Sequence, residues 1–168
     1  MDMPPLPLIP DNPAIIQQLE QPTPLTYKCL NEVVETYEIH PIILSMIYRV
    51  EGGKTGDKIR NKDGSHDLGL MQINWESHRD VLEKRGITEN MVRYNDCINL
   101  RYAAHYVRSV TRGIKISTPR EYFRAIARYH NKGEPHITVY ADKLIEQYKK
   151  MIQEYSAQHT KSDNLASR

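Results

Sequence analysis

Glu51 is the residue whose position most calls for a chemical explanation. Tyr48, Ile47 and Leu44 lie three, four and seven residues behind it, so on a helix its carboxylate continues an apolar stripe. Burying a carboxylate costs free energy unless it is neutral or paired, and the negative end of a helix macrodipole disfavours an anion further. Both effects raise its pKa. A carboxylic acid that keeps its proton near neutral pH is what a general acid needs to protonate a leaving oxygen. A terminal Glu turned outward to water is the competing interpretation, and this feature alone leaves both open.

Other chemistries find less support. The run Gly52-Gly53-Lys54-Thr55 suggests a phosphate loop, but the glycine such a motif requires four residues before its Gly-Lys pair is Tyr48, and the run ends a helix where the motif follows a strand. The two glycines stop the helix and let the chain leave sharply beside Glu51. The seven histidines include no H-E-x-x-H spacing, so no metal is expected. Ser45, Ser65 and Ser77 lack a nucleophile-elbow setting.

Helices must carry these groups. Seven of the ten prolines fall in residues 1–24, which read as a Pro-rich, flexible, largely disordered arm with a short helical turn over Pro13 to Leu19. Thr26 caps a helix through Cys29, Val33 and Tyr37, and Pro41 opens a second containing Ile43, Met46, Ile47 and Val50. Lys54 to Leu68 reads as a polar loop, and Leu70 to Ile73 as a short apolar stretch. Asn74 caps a helix from Trp75 to Arg85 that stops at Gly86, and Asn95 or Asp96 caps another through Val110. Thr118-Pro119 starts a helix to about Tyr129, and the last helix runs from about Ile137 to Tyr155. With no long strand-like alternation, the sequence predicts a mainly α domain over residues 25–156 and a frayed polar tail over 157–168.

Composition narrows the function classes. The 168 residues fit one domain and hold no apolar run of transmembrane length. A net charge of +2 without a basic block gives no footprint for nucleic acid. Eleven tyrosines against one Phe and one Trp suit a half-wet cleft. Cys29 and Cys97 fit one bridge or two buried thiols, and no secretory signal is visible at the start of the sequence.

Three segments in order carry a resemblance: Glu51 within RVEGG, Gly69-Leu70-Met71-Gln72-Ile73-Asn74, and Arg128-Tyr129-His130. Together they resemble the motifs of lytic transglycosylases, closest to the specialised enzymes that accompany type IV secretion and conjugation systems. The resemblance covers about residues 26 to 150. It implies a lysozyme-like helical domain with a catalytic cleft, and cleavage of the β-linkage between N-acetylmuramic acid and N-acetylglucosamine in peptidoglycan to leave anhydro-muramic ends. Glu51 is then the catalytic residue, with Gly69, Leu70, Met71, Gln72, Asn74, Tyr129 and His130 around the substrate and Tyr129 orienting Glu51.

The resemblance also implies that Cys29 pairs with the Cys97 of Asp96-Cys97-Ile98-Asn99, which suits a periplasmic or envelope location. Asn131-Lys132-Gly133 departs from the usual small polar residue after the Tyr-His pair and alters the cleft rim. No cofactor is required, and the expected partners are glycan strands and secretion or conjugation machinery, met by a monomer. Asp67 is expected to fix its loop by accepting backbone hydrogen bonds. Trp75 either stacks on a sugar or anchors the core. Asp57, Asp63, Asp67 and Glu76 are the acidic residues available as a second carboxylate, and none sits in a second apolar setting. A lysozyme-type hydrolase and a non-catalytic peptidoglycan-binding module are the alternatives.

Overall fold

The computed structural model describes residues 2–167, which divide after Arg112 into two compact units. In the first, Thr26 Oγ1 accepts the Cys29 N–H at 3.1 Å and opens α2 (Tyr27–Tyr37), which Glu38 closes in the left-handed region. His40 Nδ1 takes the Ile42 N–H at 3.1 Å, and Pro41 at the first position starts α3 (Pro41–Glu51). Gly52, at φ 65°, ends α3 by donating its N–H to the Tyr48 carbonyl at 2.8 Å. Side-chain caps of this kind stabilise a helix by about 1 kcal/mol each.

The expected polar loop contains a small antiparallel sheet. Strands β1 (Lys58–Arg60), β2 (His66–Leu68) and β3 (Ile73–Asn74) lie in sequence order, with Lys58 opposite Leu68 and Leu68 opposite Ile73. Strands of two and three residues are too short to show a period of two, so the pattern was invisible. The hairpin turn is built by side chains: Asp63 Oδ1 accepts the Ser65 N–H at 2.9 Å, and Asn61 N–H meets the Ser65 carbonyl at 2.8 Å. Asn74 then caps α4 (Trp75–Glu83) through Ser77 N–H. A short helix absent from the sequence expectations, α5 (Glu89–Tyr94), is capped by Thr88 Oγ1 on the Met91 N–H. Asn95 caps α6 (Asp96–Thr111), which packs along α2.

The first residues are extended and include α1 (Pro13–Leu19), but they are docked where the sequence predicts a largely disordered arm. Leu6 is buried and its carbonyl accepts the Arg85 guanidinium, while Ile9 donates its N–H to the Arg85 carbonyl at 2.8 Å. Further along, Thr23 forms a parallel bridge with Asn95. Composition could not show this, because proline-rich chain in polyproline-like conformation leaves its carbonyls available to whatever donor the fold supplies.

The second unit pairs α7 (Pro119–Ala127), started by Thr118 and Pro119, with α8 (His136–Ala166). Phe123, Ile126, Ile137, Tyr140 and Leu144 form its core. Helix α8 runs past the predicted end at Tyr155, because residues 156–166 contain neither Gly nor Pro, and all of them are exposed. No helix among the described residues is long and apolar enough to cross a membrane.

Candidate active site

Glu51 is half-buried at the last position of α3. What stands beside it follows from Gly53. A side chain there would place its first carbon 2.3 Å from the Gly69 carbonyl oxygen, 2.5 Å from that of Leu70 and 2.9 Å from Gln72 Nε2. Only glycine lets the chain leaving Glu51 lie flat against the Gly69-Leu70-Met71-Gln72 segment, so the first two sequence motifs meet in one unit.

That segment is strung from its own polar groups. Gly69, at φ 64°, donates its N–H to the Asp57 carbonyl at 3.0 Å and accepts the Gln72 N–H at 3.2 Å. Gln72 sits in the left-handed region at φ 53°, and its Nε2 donates to the Gly69 carbonyl at 2.9 Å. Its Oε1 takes no hydrogen bond from the described residues. Met71 is fully buried, and its N–H donates to Asn99 Oδ1 at 2.8 Å.

Leu44, Tyr48 and Glu51 follow at intervals of four and three residues, hence on one face of α3. Leu44, Ser45 and Tyr48 line an apolar cavity of about 280 Å³, closed by Leu25, Leu30, Leu70, Met71 and Leu100. Cavities of this kind, mostly apolar with a few hydroxyls at the edge, suit a small uncharged ligand group.

The four carboxylates near Glu51 in sequence are all engaged in the scaffold. Asp57 Oδ2 accepts the Lys54 N–H at 2.9 Å, and Asp67 Oδ1 takes Asn74 Nδ2 at 3.1 Å. Asp67 thus secures its segment through a side-chain amide, where backbone donors were expected. The Ser65 hydroxyl and N–H hold Asp63 below the ordinary carboxylate range. For Glu76, burial pushes the pKa up, but the His66 ring nitrogen at 2.8 Å and the His66 N–H at 2.7 Å outweigh it and bring it down.

Several other expected site residues make contacts within the scaffold. Asn74 spends its oxygen on Ser77 N–H and its amide on Ser65 and Asp67, tying the sheet to α4. Trp75 is buried, a core anchor. Gly69 is buried, and a side chain on it would strike Asn99 Nδ2 at 2.6 Å. In the second unit Tyr129 is buried, and exposed His130 stacks flat on Tyr140 with ring centroids 4.8 Å apart. Cys29 and Cys97 form a disulfide with Cα atoms 5.9 Å apart, joining α2 to the first turn of α6.

Sequence reasoning offered Asp96 only as a candidate helix cap and Asn99 only as part of the Cys97 motif, and missed what their side chains hold. Asp96 is buried and accepts the Leu25 N–H at 3.0 Å and the Thr55 hydroxyl at 2.8 Å, anchoring the loop that leaves Glu51. Both positions continue the apolar stripe of α6 through Leu100 and Ala103, the same signal that marks Glu51.

Known proteins supply the remaining comparison. The Transglycosylase SLT domain matches residues 28–153. Invasion protein IagB of Salmonella typhi is 30% identical over 135 residues, covering 77% of this chain and 80% of its own. Protein IpgF of Shigella flexneri is 34% identical over 77 residues, covering 45% of this chain and half of its own length. With the domain matched over residues 28–153 and the first two motifs meeting at the end of α3, the chain belongs to the Transglycosylase SLT domain family and has the lysozyme-like, mainly helical fold of that family.

Proposed function

We propose that the protein is a lytic transglycosylase that cleaves the β-bond between N-acetylmuramic acid and N-acetylglucosamine in peptidoglycan and leaves 1,6-anhydro-muramic ends. One observation carries this: the half-buried carboxylate of Glu51 ends α3 against the Gly69–Gln72 segment, and Asp57, Asp63, Asp67 and Glu76 are each held by scaffold hydrogen bonds. A retaining hydrolase needs a second carboxylate about 5 Å from the first, and an inverting one needs a second to activate water. The transglycosylase route needs only one.

In that route Glu51 gives its proton to the glycosidic oxygen as the C1–O bond breaks, and the muramic acetamido oxygen forms a bond to C1. Glu51, now a carboxylate, takes the proton of the C6 hydroxyl; O6 bonds to C1 and the acetamido oxygen leaves. The proton ledger closes with Glu51 reprotonated and no water consumed. Gln72 Oε1 accepts from a sugar hydroxyl or acetamido N–H, and Leu70 presents the apolar wall with Met71 packed beneath it. Tyr129 and His130 are the residues of the third family motif, and removal of only the Tyr129 hydroxyl is expected to lower kcat.

The cellular role that fits is local opening of the wall in the cell envelope for a secretion or conjugation apparatus. The invasion-protein relative and the disulfide, which persists in oxidising compartments, support it. Digestion of purified sacculi followed by mass spectrometry of the muropeptides tests the chemistry. Anhydro products are expected; reducing muramic ends, heavier by one water, would make the protein a hydrolase, and no release at all would leave it a binding module.

A further inference from the structure

Among the described residues, leaving tyrosines aside, the buried polar side chains are Asn95, Asp96 and Asn99, all within five positions at the start of α6. Asn95 is accounted for as a cap and Asp96 as an anchor for Thr55 and Leu25. Asn99 is different in kind. It is fully buried, and its carboxamide serves three separate backbone segments: Oδ1 accepts the Met71 N–H at 2.8 Å, and Nδ2 donates to the Leu68 and Val92 carbonyls, each at 2.9 Å.

We infer that Asn99 is a positioning residue for the reaction, setting the height of the Met71-Gln72 backbone beside Glu51. The inference rests on the reading of Glu51 as the acid. The geometry gives it little freedom. Met71 N–H lies at a turn where Gly69 and Gln72 both adopt positive φ, so no helix or strand partner supplies its acceptor. Without Asn99 the Met71 N–H loses the acceptor given to it here and the Leu68 and Val92 carbonyls each lose a donor in a dry interior, so the segment is driven to shift. Nδ2 fits only because residue 69 has no side chain: a methyl group there would lie 2.6 Å from Nδ2 and 2.8 Å from the Val92 carbonyl.

The reacting bond sits in a cleft walled by this segment, and a displacement of about 1 Å can cost a factor on the order of a hundred in rate. Binding to a long glycan, spread over many contacts, is far less sensitive.

Two isosteric variants separate positioning from mere stability. Asn99→Asp keeps an acceptor for Met71 N–H but loses both donated bonds, and Asn99→Leu keeps the volume but loses all three. Each is assayed on sacculi at a temperature where circular dichroism shows it folded, with sacculus binding measured in parallel. The expected result is a kcat lowered roughly a hundredfold in Asn99→Leu and roughly tenfold in Asn99→Asp, with binding within about threefold of the parent. Gly69→Ala, which pushes the carboxamide from the other side, is expected to give the same split and serves if the Asn99 variants do not fold.

Hydrogen exchange of the parent supplies a readout that needs no activity: the Met71 amide should exchange as slowly as core helix amides. A folded Asn99→Leu with kcat within twofold of the parent, or a Met71 amide exchanging like exposed loop, overturns the inference. A parent that releases no muropeptide at all while its Met71 amide is protected overturns the proposed function instead.

Discussion

At the start of α6, polar groups are buried and fully used; in the α7–α8 unit they stand on the surface. Asp96 and Asn99 reach across to the loop after Glu51 and to the Leu68–Met71 segment, and Cys97 reaches to α2. In the second unit, Glu134 meets Arg124 and Thr138, Glu121 meets Ser117, and Glu146 meets Lys150, with every carboxylate exposed and only Arg124 and Thr138 half-buried. Exposed pairs of this kind contribute between nothing and about 1 kcal/mol. A buried group that loses its partner costs about 1–3 kcal/mol, so buried bonds hold geometry in a way surface bonds do not. The precision that the proposed chemistry at Glu51 would require is therefore concentrated in the first unit, around one helical turn.

The sharpest way to break this contrast is at Glu51 itself. Glu51→Gln preserves size and removes the transferable proton, so kcat should fall by about two to four orders of magnitude while sacculus binding and the melting curve stay put. Residual turnover near the parent's would remove the chemistry from the first unit.

Next in size is the disulfide. Cys29 and Cys97 enclose a loop with a sequence separation of 68, and replacing both by Ala should cost up to roughly 4 kcal/mol in the chain-entropy account. Denaturant unfolding measures it. A loss below about 1 kcal/mol would show that buried hydrogen bonds alone hold the α6 turn.

Asp96→Asn comes third. It leaves the shape intact but weakens the charge-assisted bonds to Leu25 N–H and Thr55, and it should cost about 1–3 kcal/mol by urea titration. Equal stability of variant and parent would demote Asp96 to a passive filler.

The smallest effects concern acid. Burial pushes the His105 imidazole below its ordinary range. The folded pKa lies under the unfolded one, so between them the unfolded chain binds more protons. Stability is present above the unfolded value and is lost as pH falls through the folded one. Glu134, lowered first by the Arg124 guanidinium and then by the Thr138 hydroxyl, follows the same sign at the lower carboxylate range. Unfolding at pH 7 and pH 5 should show the His105 loss, removed in His105→Gln. Glu134→Gln should lose at neutral pH only the small contribution of an exposed pair and flatten the decline below pH 5. A neutral-pH loss in Glu134→Gln as large as that of Asp96→Asn would erase the distinction between the two units.

Much of the scaffold was legible because its signals are local. Thr26, Pro41, Asn74, Asn95 and Thr118-Pro119 mark helix starts through bonds made within three residues, and each start appears where its marker stands. The sheet and α5 escaped because elements of two to six residues show no period. The docked arm escaped because the partners of Leu6 and Ile9 lie at Arg85, far along the chain.

At the candidate site the same division holds. Glu51 and Gly53 could be picked out because a carboxylate on an apolar stripe and glycines at a sharp departure are exceptional in their immediate sequence, whereas Gly69 and Gln72 came with the resemblance to the family's motifs. Sequence alone determined the helical class and the order of the motifs, and marked Glu51 as the candidate acid. Only the tertiary structure decided what each polar group spends its bonds on: it made Asn74 a tie for the sheet, occupied four carboxylates in the scaffold, and gave Asn99 its three backbone partners from Leu68, Met71 and Val92. A hydrogen bond is specified by two groups and the distance between them, and for residues dozens of positions apart only folding sets that distance.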